Sequence, residues 1–129
     1  MTKSPQSANP TESPKPSKLA KTPQSKHPLF SPGRIVATPG ALDLLSRAEA
    51  SPHELLHRHV CGDWAEMDRE DQAANHDAVR SGARILSSFN VQGAKLWIIT
   101  EAISDVTEDG RRKAQASRSS TCFLLPEEY

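Results

Sequence analysis

The pattern in this sequence that comes nearest to a catalytic site is a pair of histidines at helical spacing. His53-Glu54-Leu55-Leu56-His57 has the form H-E-x-x-H, in which two histidines one turn apart bind zinc and the glutamate activates a water. Asp63 falls where a third ligand would stand, but Val60 replaces the glycine that turns the chain towards it. A zinc hydrolase is therefore a remote alternative, and we predict no metal and no cofactor.

The same residues have a simpler structural interpretation. Ser51-Pro52-His53-Glu54 is a capping box with proline at the first helical position, which predicts the start of a helix. Glu54 is then the capping partner of Ser51, and His53 and His57 are polar residues on the solvated side of that helix. This interpretation explains the motif without any metal.

Caps, chain breakers and periodicity locate the elements that would position these side chains. Threonine or serine followed by proline begins two helices, and a run of carboxylates begins a third. Two apolar runs around a short turn containing Gly93 indicate a β-hairpin. The predicted helices cover residues 41–50, 52–62 and 68–82, and the predicted strands cover residues 33–37, 83–90, 95–102 and 120–125.

These elements predict an α+β fold in which about three N-terminal helices pack on a small antiparallel sheet of three to four strands. Residues 29–129 would form a single domain, with the polar segment 103–119 an exposed loop or hairpin insertion. Residues 1–28 are rich in lysine, proline and serine and contain little that could be buried, so we expect a disordered N-terminal tail there.

Charge and composition constrain the partners and the compartment. Residues 1–28 contain five lysines and one glutamate, a net charge of +4, and because the whole chain is formally neutral the remainder carries −4. An acidic domain argues against a nucleic-acid-binding core. Two cysteines, no apolar stretch of the roughly 20 residues that span a bilayer, and no apolar leader predict a cytoplasmic protein without membrane association.

A second group of residues is suited to binding rather than catalysis. Trp64 follows Gly62 and could anchor a partner, although such a tryptophan more often fills the edge of a small core. Polar side chains of the strands, including Ser88, Trp97 and Thr121, could share a sheet face that binds RNA or is simply solvated. The histidine and carboxylates near turns or strand ends are expected to be exposed. The candidate binding residues are His59, Asp63, Trp64, Arg84, Glu101 and Arg118.

Several motifs together carry a resemblance to a known family. They are Gly33-Arg34-Ile35-Val36-Ala37-Thr38-Pro39-Gly40-Ala41, Arg58-His59-Val60, Gly62-Asp63-Trp64, Glu70-Asp71 with Asn75, Arg84 with Leu86-Ser87, Trp97-Ile98-Ile99-Thr100-Glu101-Ala102, and Leu124-Leu125-Pro126-Glu127-Glu128-Tyr129. From Gly33 onward the chain thus resembles a family of small proteins of bacterial plasmids and integrating elements. Some relatives are labelled type I restriction endonuclease subunit M, yet no glycine-rich nucleotide loop opens a helix here.

The resemblance leads to our main hypothesis, a non-enzymatic accessory protein of a bacterial mobile genetic element that binds a protein or nucleic-acid partner. Relative to that family, residues 103–117 look like an insertion and the basic tail looks peculiar to this chain. An alternative is a small endoribonuclease toxin of a toxin–antitoxin pair. Helices on a short antiparallel sheet, with Arg84, Glu101 and Arg118 available, are an architecture that some such toxins use.

Overall fold

A computed structural model describes residues 27–107 and 109–129. This part of the chain contains three helices and six strands, and the strands form two sheets. Apart from its last two residues, the predicted disordered tail lies outside the described residues. No helix in the described part of the chain is long and apolar enough to cross a membrane. In chain order the elements are β1 (Arg34–Ala37), α1 (Pro39–Ala48), α2 (Pro52–Val60), α3 (Arg69–Ser81), β2 (Ile85–Val91), β3 (Ala94–Thr100), β4 (Ile103–Val106), β5 (Arg112–Arg118) and β6 (Ser120–Leu124), followed by a 3₁₀ turn at Pro126–Glu128.

Local capping explains where the helices begin and end. The Thr38 hydroxyl accepts a hydrogen bond from the Ala41 amide at 3.2 Å, and the Ser51 hydroxyl accepts one from the Glu54 amide at 3.2 Å. Gly82 ends α3 in the left-handed conformation, with φ of 86°. These starts and stops therefore follow directly from residues adjacent in the sequence.

The predicted fold class is wrong in its sheet arrangement and in the order of its elements. The main sheet has the order β1-β6-β3-β2, and β1 runs parallel to β6, so the sheet is mixed rather than antiparallel. The helices follow β1 and lie in the middle of the chain. Strands β4 and β5 form a second, two-stranded sheet over the segment expected to be a loop or hairpin insertion.

Two physical reasons explain this correction. The pairing of β1 with β6 joins Arg34 to Ser120 and Ala37 to Phe123, and such a distant contact leaves no local pattern in a four-residue strand. The β4–β5 hairpin is exposed along most of both strands, so it lacks the apolar alternation that reveals a half-buried strand. The first feature depends on segments far apart in the chain, and the second on strands that lack an apolar pattern.

Helices cover one face of the main sheet and leave the other face largely open. Because strand residues alternate between faces, the inward positions of β2, β3 and β6 are buried against α1 and α2. A smaller cluster of Trp64, Ala78 and Ile85 lies beneath α3. The main buried cluster comprises Ala41, Leu44, Leu45, Leu55, Phe89, Val91, Leu96, Ile98 and Phe123.

The β2 edge of the sheet is shielded by side chains. The Asn75 amide of α3 donates to the Leu86 carbonyl at 2.8 Å and accepts from the Leu86 N–H at 3.3 Å. Glu66 accepts from the Asn90 N–H at 2.9 Å. Side chains thus take the place of a neighbouring strand, which is one way that proteins prevent edge-to-edge association.

Candidate functional site

A buried chain of polar side chains connects α2 to the sheet. His59 Nδ1 lies 2.5 Å from the Ser87 hydroxyl oxygen, and His59 Nε2 lies 2.8 Å from the Thr100 hydroxyl oxygen. The Trp64 indole N–H donates to the Ser87 oxygen at 2.7 Å, and Thr100 and Thr121 hydroxyls are 2.6 Å apart. We call this set, His59, Trp64, Ser87, Thr100 and Thr121, the polar network; each member is at most 1% exposed.

The ends of the polar network determine where its protons lie. At one end the Thr121 hydroxyl donates to the Pro32 carbonyl at 2.7 Å, so Thr100 must donate to Thr121 and accept from His59 Nε2–H. At the other end Ser87 accepts from the indole of Trp64 and donates to His59 Nδ1. Every donor in the chain then has an acceptor, with His59 neutral and protonated at Nε2.

The position of His59 favours this neutral form. Burial, together with the positive charge of Arg118, lowers the pKa of His59 from 6.5 to about 3. The expectation that His59 is exposed is wrong, because its ring is 0% exposed, and Trp64 is also buried at 1%. Neither side chain can contact a partner at the surface of this fold, so the polar network is a packing feature.

Arg118, another candidate residue, is also held inside the fold. Its guanidinium donates to the carbonyls of Ala83 at 2.7 Å, Glu101 at 3.1 Å and Ala78 at 3.1 Å. Burial lowers its pKa, and the three carbonyls, together with the Phe30 ring 5.4 Å away, compensate for the buried charge. Arg118 thus joins α3 to the two open ends of the β2–β3 hairpin, just before β2 and just after β3. The Glu101 side chain itself is exposed.

Asp63 belongs to a partly buried ion-pair relay rather than to a free acidic site. Arg58 Nε donates to Asp63 at 2.8 Å, and Arg58 Nη2 donates to Glu66 at 2.9 Å. The Arg58 guanidinium also lies 4.5 Å from the centre of the Phe89 ring. Since Glu66 accepts from Asn90 as well, the relay links the end of α2 to the β2 edge.

Arg84 has a different setting, on the open face of the main sheet. Its Nη2 donates to the Tyr129 hydroxyl at 2.5 Å, and its guanidinium lies 5.5 Å from the centre of the Tyr129 ring. Tyr129, which is 68% exposed, meets Trp97 edge to face with ring centres 5.8 Å apart. An arginine and two aromatic rings are therefore in contact at the surface, with Trp97 only partly buried. We call Arg84, Trp97 and Tyr129 the aromatic cluster.

A groove of about 530 Å³ runs beside the aromatic cluster, between α3 and the outer sides of β2 and β3. Arg84 and Lys95 stand on the sheet side, and Asp68 and Asp71 stand at the start of α3. Leu86, Trp97, Met67 and Ala74 supply apolar surface between them. We refer to this as the α3 groove; it combines an apolar floor with rims of opposite charge.

The structure separates the sequence-predicted candidates into groups that do not form one site. His59 and Trp64 meet in the polar network, Arg118 lies beneath α3, and Asp63 is in the ion-pair relay. Arg84 borders the α3 groove with Ser88 and Trp97. Thr121 points to the helix-covered face instead.

The H-E-x-x-H motif lies on the amphipathic helix α2, with its polar residues towards solvent and Leu55 towards the core. His53, Glu54 and His57 are exposed and Leu55 is buried. The Cys61 sulfur lies 3.8 Å from each ring nitrogen of His57, and burial raises the pKa of that thiol. Within residues 27–107 and 109–129 there is no group of three or more His, Cys, Asp or Glu side chains that could hold a metal ion.

Sequence reasoning did not identify Ser87, Thr100, Tyr129 or Asn75 as site residues. For Ser87 and Thr100, the alternation of inward-facing and outward-facing positions along the strands could have indicated burial. Ser87 stands between the inward-facing Ile85 and Phe89, and Thr100 follows inward-facing residues of β3. Polar residues at such positions are buried and require partners. No local pattern marks the edge-to-face contact of Tyr129 with Trp97.

Comparison of this chain with protein-family models, with curated proteins and with solved structures finds no match in any of the three.

Proposed function

We propose that this chain is a non-enzymatic binding protein, an accessory factor of a bacterial mobile genetic element, and that it holds its partner in the α3 groove. The observation that carries the binding proposal is the aromatic cluster of Trp97, Tyr129 and Arg84 beside that groove. Partly exposed aromatic rings and arginine are the residues that most often dominate the energy of protein interfaces. The association with a mobile element rests on the resemblance of the sequence motifs.

Binding is favoured over catalysis because two of the candidate residues suited to acid–base or phosphate chemistry, His59 and Arg118, are buried and already hydrogen-bonded within the fold. His59 is fully buried and neutral, and Arg118 donates to three carbonyls. An endoribonuclease would need such groups within reach of a phosphodiester. Of the three residues that suggested a ribonuclease, Arg84 alone lines the α3 groove.

The charges around the α3 groove favour a protein segment as the partner. Asp68 and Asp71 would repel a nucleic-acid backbone, and residues 29–129 carry a net charge of −4. A peptide can instead place a basic residue near these carboxylates and an acidic one near Lys95, with an apolar residue on Trp97. Complementary rims of this kind set orientation and specificity.

The test is a comparison of matched charge reversals in the full-length protein. Lys95→Glu and Asp71→Lys alter the groove rims. The control is Arg111→Glu, because the Arg111 side chain is 83% exposed in the turn of the β4–β5 hairpin and does not line the groove. Proteins retained by the tagged chain from its host are quantified, and the enriched partner is then titrated as a purified protein. We expect both groove variants to weaken binding at least tenfold while the control binds like wild type.

Fluorescence gives an independent measurement of the same site. Trp64 is buried and Trp97 is partly exposed, so partner binding should shift the emission of Trp97. Trp97→Phe should abolish the shift. Binding that is lost in Arg111→Glu but kept in both groove variants would place the site on the β4–β5 hairpin instead. Growth arrest on expression in a bacterial host would favour the endoribonuclease toxin.

A further inference from the structure

The two edges of the main sheet differ in how they are covered. Side chains of Asn75 and Glu66 occupy hydrogen-bonding positions along β2. At the opposite edge, β1 pairs with β6 on one side, and no other strand of the described residues joins it. An edge strand without cover presents backbone groups that another strand can use.

The backbone hydrogen bonds of β1 show which groups point outward. The Arg34 N–H donates to the Ser119 carbonyl at 3.0 Å, and the Thr38 N–H donates to the Phe123 carbonyl at 2.9 Å. The backbone N–H and C=O groups of the even-numbered residues of β1 therefore point towards β6. The N–H and C=O groups of Ile35 and Ala37 point to the open edge.

Apolar side chains are exposed on both faces of this edge. Ile35 is 44% exposed and Val36 is 39% exposed, and strand alternation places them on opposite faces of the sheet. Edge strands that remain unpaired usually carry charges or prolines at such positions. The open edge of β1 has instead the composition of a strand that is paired on both sides.

From this we infer that two copies of the chain associate through β1, in antiparallel orientation about a two-fold axis at Val36, forming one continuous eight-stranded sheet. Ile35 then pairs with Ala37 of the partner subunit, and each such pair exchanges both of its backbone hydrogen bonds. Val36 lies opposite Val36 of the partner subunit. A symmetric, self-complementary contact of this kind closes on itself and leaves neither β1 edge unpaired.

The register follows from the residues at the two ends of β1. Shifting the axis to Ile35 would require Gly33, which has φ of 69° and lies outside the strand. Shifting it to Ala37 would require Pro39, which has no N–H and belongs to α1. The Val36 axis alone uses all four outward-pointing backbone groups of β1.

Charges at the ends of the paired strands are complementary. The Val36 axis sets Arg34 opposite Thr38 of the partner subunit. Within each chain, the Thr38 hydroxyl donates to Glu128 Oε1 at 2.5 Å, and the Gly40 amide donates to Glu128 Oε2 at 3.0 Å. A carboxylate is thus fixed at the end of the strand that meets the partner's Arg34, and the two-fold axis repeats this arrangement at the other end.

The first test is the mass of the full-length protein in solution over a range of concentrations. We expect a mass approaching twice 14.1 kDa as the concentration rises. Val36→Lys places two ammonium groups opposite each other at the axis and should give a folded monomer, whose melting temperature does not rise with protein concentration as that of the wild type does. Val106→Lys, at a site that is 44% exposed on the hairpin, is the control and should dimerise like wild type.

The second test fixes the register by cross-linking. Cα atoms of a non-hydrogen-bonded pair lie about 4.5 Å apart, which permits a disulfide. Val36→Cys is made together with Cys122→Ser, because Cys122 adjoins Val36 within one chain. Mild oxidation should convert this protein to a covalent dimer, whereas Ile103→Cys in the same background should remain mostly uncoupled.

Three results would overturn the inference. The full chain could remain monomeric at every concentration, or its dimer could survive Val36→Lys unchanged, which would place the interface elsewhere. A chain that dimerises only after removal of residues 1–26 would show that this segment, not a second copy, covers the β1 edge. The inference does not depend on the proposed function, since none of these variants alters the α3 groove.

Discussion

His59 Nε2 and the Thr100 hydroxyl oxygen lie 2.8 Å apart, and this contact joins the last turn of α2 to the end of β3. Because Thr100 donates onward to Thr121, the His59 ring must donate to Thr100 through Nε2. The imidazole therefore acts as a neutral bridge between Ser87 and Thr100. Helix α2 is oriented on the sheet by hydrogen bonds as well as by apolar packing.

Replacing His59 with alanine should destabilise the fold. The change leaves the Ser87 and Thr100 hydroxyls without their buried partner and opens a cavity, so we expect a loss of about 2 to 4 kcal/mol in the free energy of unfolding. Urea denaturation measures it. His53→Ala, on the exposed side of the same helix, should change stability by no more than about 0.5 kcal/mol. Equal effects of the two variants would contradict the polar network.

Stability should fall as the solution becomes acidic because of the same histidine. Folding lowers the pKa of His59 from 6.5 to about 3, so between these values the unfolded chain binds a proton that the folded chain does not. The contribution is fully present above pH 6.5 and decreases as pH falls towards 3, with a slope approaching about 1.4 kcal/mol per pH unit. Denaturation of wild type and His59→Gln between these values should show a shallower dependence in the variant.

Asn75→Leu should destabilise the protein and expose the β2 edge. The variant removes both hydrogen bonds to Leu86, at 2.8 and 3.3 Å, and leaves those backbone groups unpaired. We expect a loss of about 1 to 3 kcal/mol and a greater tendency to aggregate. Ala73→Leu introduces the same side chain at an exposed position of α3 and serves as the control. Urea denaturation measures the loss of stability and light scattering during heating measures the aggregation. Identical results for the two variants would refute the shielding role.

Arg118→Lys should show that the shape of the guanidinium, and not its charge alone, holds α3 to the β2–β3 hairpin. A lysine ammonium cannot reach the Ala78, Ala83 and Glu101 carbonyls with the same fixed geometry. We expect a loss of about 1 to 3 kcal/mol. Glu101→Ala keeps the accepting carbonyl and removes only an exposed side chain, so it should be nearly neutral. A neutral Arg118→Lys would show that charge suffices.

The sequence by itself predicted the helices well, because their limits depend on neighbouring residues. Thr38 and Ser51 cap the amides three residues ahead, and Gly82 adopts the left-handed conformation that ends α3. The β2–β3 hairpin around Gln92 and Gly93 is equally local. Predictions succeed where the stabilising contact lies within a few residues.

Only the tertiary structure decided which polar residues are buried and how the strands are ordered. His59 comes two residues after the exposed His57, yet it becomes fully buried because Ser87 and Thr100, 28 and 41 residues away, satisfy both ring nitrogens. The parallel pairing of β1 with β6 similarly depends on contacts between the two ends of the domain. Such contacts join residues that are far apart in the sequence, so no short stretch of sequence contains them.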